Sequence, residues 1–305
     1  MSKLKKGKDY KVASTKYGLV RFTEIGPKNG EVILFSTGGG ASFMSVHAFE
    51  WLVAEGFRVI AINRPGYFDL PIKDSYTLES HADIYHEVIN HLGVKDKIHV
   101  FGVSMGGLSA LYYAQKYPTQ SLVLWSSVSG KYCINEQAAN SGLGRLVLSK
   151  SGKNIISWLL LTSAKLFPQK TIETFLKTEA DLNRQERILL AKQIVQNQSR
   201  KKEFMTFVKS MTPMGALYEG MMDEVAKAAN LQTVDWTNIT CPTFAVHSIV
   251  DIDVSIEHAQ RLEKMIPAIK MMYVRAGGHF VWWGEEGEQV KHATKDFLLK
   301  ATSIQ

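Results

Sequence analysis

FGVSMGG, Phe101 to Gly107, decides how this chain folds. A lone serine, Ser104, stands between Gly102 and Gly106, after the β-forming run KIHV and before LSALYYAQKY. The apolar spacing of the latter predicts a helix over residues 108–117, stopped by Pro118. A strand that turns sharply into a helix holds the middle residue in strained backbone angles and lifts its side chain above the sheet edge. Side chains in place of Gly102 and Gly106 would collide with the neighbouring strand and helix. The helix start also offers backbone N–H groups and a positive dipole end to nearby negative charge. Gly-x-Ser-x-Gly alone is a weak signal. The strand–turn–helix setting raises it above an ordinary βα turn.

Outward from that turn the chain alternates strands and helices. DYKVAST and LVRFTEI read as two opening strands joined by a turn, and GPKNG as a second turn. EVILFST (31–37) is a continuous apolar run, as expected of a strand buried on both faces. A helix is expected over 42–55, a strand over 58–64, a helix over 78–92 and a strand over 121–127. This rhythm implies a parallel sheet covered on both sides, an α/β, doubly wound architecture. Between residues 131 and 235 no strand is convincing. Helical patterns cover 155–166, 170–176, 184–198 and 202–211, a helical insertion. The α/β rhythm returns with CPTFAVHS (241–248), a helix near 255–265, KMMYVRA (270–276) and a closing helix over 286–299. The expected division is a core of residues 1–130 and 236–305, with an inserted cap over 131–235.

A serine hydroxyl needs a base to take its proton, and the base needs an orienting acid. In VRAGGHFVWW, His279 lies in a glycine-bearing loop after the last expected strand. In HSIVDIDVS, Asp251 and Asp253 follow the penultimate strand, and Asp251 is the better placed. The segment 126–132 contains no carboxylate that could serve instead. A tetrahedral intermediate needs two pre-placed donors for its oxyanion. The Met105 N–H is one. The loop after EVILFST supplies the other, with Gly39 first choice and Gly38 and Gly40 beside it. No phosphate-loop pattern follows those glycines.

Composition narrows the field. The chain has 305 residues, 45% hydrophobic and 21% charged, with a formal net charge of +7. Lys3, Lys5, Lys6 and Lys8 cluster, as do Arg200, Lys201 and Lys202, but neither group alternates with aromatics as a nucleic-acid surface would. Cys133 and Cys241 are too few for a disulfide framework and have no metal spacing. No apolar region follows the N-terminal lysines, and IISWLLLT (155–162) is far short of the roughly 20 residues of a membrane span. A cytoplasmic location is expected, with peripheral membrane contact by the insertion as an open alternative.

Taken in order, STGGGAS, NRPGY, GVSMGG, CPTFAVHSIVDIDV and GGHF resemble the α/β-hydrolase superfamily. The resemblance covers nearly all of the chain outside 131–235. It implies an eight-stranded, mostly parallel sheet with a cap after the sixth strand. It implies Ser104 as nucleophile, His279 as base and Asp251 as its acid. Relatives with aspartate at the elbow, the haloalkane dehalogenases and epoxide hydrolases, do not match this serine. The oxyanion loop starts Thr37-Gly38 where the family often has His-Gly, and Ser248 stands where a glycine is usual. The expected activity is hydrolysis of a small-to-medium, apolar carboxylic ester without metal or organic cofactor. Alternatives are carbon–carbon bond hydrolysis of a diketone-like acid and ligand binding without turnover. Phe43, Tyr67, Trp125 and Phe280 are expected to line the substrate pocket with Met105.

Overall fold

The computed structural model describes residues 10–134 and 153–303. The lysine cluster at 3–8 and residues 135–152 of the expected insertion lie outside the described residues. Eight strands form one sheet: β1 (Lys11–Thr15), β2 (Gly18–Ile25), β3 (Val32–Ser36), β4 (Arg58–Ile62), β5 (Ile98–Val103), β6 (Thr119–Trp125), β7 (Thr243–Ser248) and β8 (Ile269–Val274). Their order is β1-β2-β4-β3-β5-β6-β7-β8, antiparallel through the β1–β2 and β2–β4 pairs and parallel elsewhere.

Period-two alternation sorts the strand residues into two cores. Phe35, Phe101, Trp125 and Phe244 face one side, and Leu34, Val100, Leu124 and Ala245 the other. Each of β3, β5 and β7 is buried along its whole length, which requires both faces to be covered. Helices α2 (Ser80–His91) and α3 (Gly106–Lys116) cover the second side. The first side is covered by a 3₁₀ segment (Phe43–Phe49) running into α1 (Glu50–Ala54), and by the C-terminal helix Gly284–Thr302.

The α-helix expected over 42–55 is therefore corrected in its first half. Phe43, Val46 and Phe49 are all buried at a spacing of three, the repeat that a 3₁₀ helix stacks on one face. Between β6 and β7 run α4 (Lys153–Leu166), α5 (Pro168–Glu179), α6 (Arg184–Gln196), α7 (Gln198–Ser210) and α8 (Tyr218–Ala229). The last was not expected, because Gly215 and Gly220 interrupt the helical signal in that segment. Core helices α9 (Ile256–Met265) and α10 (Gly284–Thr302) complete the order. Ile155, Trp158 and Leu159 of α4 stand exposed. Among the described residues no helix is long and apolar enough to cross a membrane.

The strand order reverses at β3, which pairs with β4 on one side and β5 on the other. In open α/β sheets the crevice beyond the strand ends at such a point is where ligands bind. The loop after β3 and Ser104 after β5 both meet there.

Candidate active site

Ser104 has φ +52°, a left-handed conformation costing a non-glycine residue about 1–3 kcal/mol. The surroundings hold it there. Its N–H donates to the Trp125 carbonyl at 3.0 Å, and its carbonyl accepts from Gly107 at 2.9 Å and Val128 at 3.0 Å. A side chain on Gly102 would stand 2.7 Å from the Ala110 Cβ, and one on Gly106 would run into the Ser36 and Thr37 carbonyls. Small residues at both positions let strand, turn and helix pack this closely. Met105 is the N-cap of α3, where backbone N–H groups lack intrahelical acceptors.

His279 comes from the loop after β8, where Gly278 adopts φ +64°. Its backbone N–H donates to the Glu179 carbonyl at 3.0 Å. Its Nδ1 lies 2.9 Å from Asp251 Oδ2, and an ionised carboxylate only accepts, so Nδ1 is the donor. The other Asp251 oxygen, Oδ1, accepts from the N–H groups of Asp253 at 3.0 Å and Val254 at 2.9 Å, so the carboxylate cannot rotate freely. The Nε2 face of the ring lies 3.7 Å from Asp253 Oδ2, and Asp253 Oδ1 accepts from the Tyr132 hydroxyl at 2.7 Å. Thus Asp251 holds Nδ1 and Asp253 flanks Nε2.

Glu179, at the end of α5, adds a third carboxyl. Burial opposes charge on His279, but the charge and hydrogen bond of Asp251, with the charges of Asp253 and Glu179, outweigh it and push the imidazole up to about 10. Burial, reinforced by the charge of Asp253, pushes the Glu179 carboxyl up to about 8. Burial likewise raises Asp253.

A cavity of about 270 Å³ brings these groups together. Ser104, His279, Asp253, Glu179, Gly38, Gly39, Met105 and Phe280 line it, along with Phe175, Phe207, Met211 and Met221 from the inserted helices. Gly40 does not line it. Its N–H is turned away, donating to the Tyr67 hydroxyl at 3.1 Å. Three expected lining residues lie elsewhere. Phe43 packs against Tyr10 and Phe68. Tyr67 is buried behind the glycine loop, hydrogen-bonded to Glu224 at 2.8 Å. Trp125 is fully buried beneath the cavity against Phe49, Phe101 and Trp282, its indole N–H donating to Thr294 Oγ1 at 3.1 Å. Bulk and aromaticity suit a pocket wall and a core equally, and strand alternation put Trp125 in the core.

Glu179 and Tyr132 were not visible in the sequence as site residues. Glu179 carries no motif and reaches the site only because the end of α5 pairs with the Asp251 loop, Ala180 bridging to Asp251 and the Asp181 N–H donating to Val250 at 2.8 Å. A second, more polar depression of about 420 Å³ lies by Gly130, Ala229 and Arg261 and holds none of these groups. Among the described residues no cluster of three or more His, Cys, Asp or Glu is placed to hold a metal ion.

A family model described as alpha/beta hydrolase fold matches residues 31–145. An uncharacterized hydrolase, YcgS, of Bacillus subtilis is 23% identical over 88% of this chain and 92% of its own length. A 2-hydroxy-6-oxononadienedioate/2-hydroxy-6-oxononatrienedioate hydrolase of Pseudomonas sp. is 24% identical over 93% of each chain. An alpha/beta hydrolase fold protein from Nakamurella multipartita superposes with a TM-score of 0.86 at 23% identity, over 95% of this chain and 99% of that one. These relatives support hydrolase activity of the α/β-hydrolase type. With the eight-stranded sheet, its strand order and the serine turn, they show that this chain has the α/β-hydrolase fold.

Proposed function

We propose that this chain is a serine hydrolase that cleaves small-to-medium, uncharged carboxylic esters through an acyl-enzyme. One observation carries the reading: the strained Ser104 turn and the Asp251-paired His279 open into the same cavity. The inserted helices act as a cap, spanning 131–235, whose Phe175, Phe207 and Met221 supply the apolar wall.

In the first step Ser104 Oγ attacks the ester carbonyl carbon while His279 Nε2 takes its proton. The Met105 and Gly39 N–H groups stabilise the oxyanion. His279 then gives the proton to the leaving alcohol as the C–O bond breaks. Water, deprotonated by the same nitrogen, attacks the acyl-enzyme, and the proton returns to Ser104 Oγ as the acid leaves. Asp251 stays ionised and fixes the ring.

The lining favours an ester over a diketone-like acid. The chain carries a net charge of +7, yet the described lining includes Glu179 and Asp253 and neither lysine nor arginine. A substrate carboxylate would find no lysine or arginine there, only the His279 that Asp251 and Asp253 already flank, and it would lie beside the Asp253 carboxyl.

The test is p-nitrophenyl ester hydrolysis across chain lengths, for the wild type and Ser104→Ala side by side, with fluorophosphonate labelling of both. Turnover and labelling that vanish in Ser104→Ala support the reading, and the preferred length sizes the pocket. A folded wild type with neither would sink it and leave ligand binding.

A further inference from the structure

We infer that Arg64 and Glu224 are positioning residues for the Gly39 N–H, so that turnover requires α8 to stay docked on the core. The inference rests on the acyl-transfer reading above.

Arg64 follows β4 in the NRPGY segment, and Glu224 lies on α8, 160 positions away. The two side chains are each about 1% exposed. Arg64 Nε donates to Glu224 Oε1, and Nη2 donates to Oε2 at 3.1 Å. The opposite edge of the same guanidinium grips the glycine loop. Nη1 donates to the Thr37 carbonyl and, at 3.1 Å, to Thr37 Oγ1, and Nη2 donates to the Gly38 carbonyl at 3.2 Å. The Tyr67 hydroxyl closes the network, donating to Glu224 Oε2 at 2.8 Å and accepting from the Gly40 N–H at 3.1 Å. A planar fork of donors suits this two-sided grip, and a lysine could not span it.

The consequence follows from peptide geometry. In a trans peptide the C=O and N–H point in opposite directions. A Gly38 carbonyl drawn toward Arg64 turns the Gly39 N–H away from Arg64. On that other side lies the cavity, and the loop runs close to Met105 there: a Cβ built on Gly39 would stand 3.4 Å from the Met105 Cβ. The grip on the Gly38 carbonyl thus turns the Gly39 N–H toward the face of the loop that packs on Met105, and the grip on Thr37 fixes the peptide before it.

Glu224 makes the grip possible, because a buried guanidinium is sustainable only with a counter-charge. That charge arrives from the inserted helices. Backbone bonds tie the same segments together, from the Phe68 N–H to Ala216 O at 2.7 Å and from the Gly220 N–H to Gly66 O at 3.1 Å.

The experiment uses the full chain and the variants Glu224→Gln and Arg64→Lys. Active sites are counted by fluorophosphonate titration taken to completion. Turnover per titrated site, KM and inhibition by a trifluoromethyl ketone, whose bound oxyanion needs both donors, are then measured. Both variants should lose about 10²–10³-fold in kcat per titrated site, with ketone affinity falling in proportion. KM should stay within roughly threefold, since the lost contact belongs to the transition state. If kcat per site and ketone affinity hold while only the titratable fraction or the Tm falls, the pair is merely structural and the inference is overturned. Should Glu224→Gln fail to fold, Arg64→Lys decides alone, because it keeps a cation for Glu224 but cannot hold both carbonyls. A wild type without turnover or labelling sinks the acyl-transfer reading itself, and is recognised before any variant is made.

Discussion

His279 sits between two aspartates: its Nδ1 is 2.9 Å from Asp251 Oδ2 and its Nε2 is 3.7 Å from Asp253 Oδ2. In the proposed mechanism the nitrogen that accepts the Ser104 proton therefore faces a carboxylate that favours keeping it protonated. With the imidazole pushed up to about 10, only a minor fraction is a free base at neutral pH. Ester kcat/KM should climb with pH from 7 toward about 10. Asp253→Asn removes one charge that stabilises the imidazolium, so its midpoint should move to lower pH. A background-corrected pH profile of both proteins checks this, and an unmoved midpoint would contradict it. The stability sign agrees: a raised histidine favours the fold fully below about 6.5, and this contribution is lost as pH rises through about 10.

Asp251 and Asp253 should separate cleanly by mutation. Asp251→Asn keeps the shape but turns an amide toward Nδ1, which disfavours the productive tautomer. It should lower kcat by about 10⁴-fold with little change in Tm. Asp253→Asn should retain turnover. Steady-state kinetics with thermal melts on both variants decides, and the reverse pattern would exchange their roles.

Charge selectivity should follow from the lining. At pH 7, p-nitrophenyl valerate should be cleaved with a kcat/KM about tenfold or more above that of mono-p-nitrophenyl glutarate, the like-sized carboxylate. Two like charges about 6 Å apart at an effective dielectric near 20 repel by about 3 kcal/mol, which sets the upper end. Asp253→Asn should narrow the ratio. A wild-type preference for the glutarate would overturn the uncharged-ester assignment.

Gly106→Ala should be costly, because the new methyl would press on the Ser36 and Thr37 carbonyls, which are fixed in the sheet and the glycine loop. A loss of about 1–3 kcal/mol or more is expected from overpacking there. Labelling of Ser104 should fall with it, since the turn must shift. Chemical denaturation and fluorophosphonate labelling measure the two effects, and a variant unchanged in both would refute this account of the turn.

By itself, the sequence determined the elements and the order of the chemistry. Apolar runs such as EVILFST and SLVLWSS mark strands buried on both faces. The glycines around Ser104 mark a turn that admits no side chains, and the position of His279 after the last strand follows from the same local code. Helical periodicity likewise located four of the inserted helices, and missed α8 where glycines interrupt it. What only the tertiary structure decided are relations between segments far apart in the chain. Asp251 and Asp253 are two residues apart and chemically alike, and only the loop's path turns one to Nδ1 and the other to Nε2. Trp125 and Tyr67 went to the core because strand alternation and a buried charge network claimed them. Glu179 reaches His279, and Glu224 reaches Arg64, across helices whose surface pattern says nothing of which partner they will meet. A residue's own neighbours in sequence fix its backbone, whereas the pairing of a buried charge is fixed by whichever element folds against it.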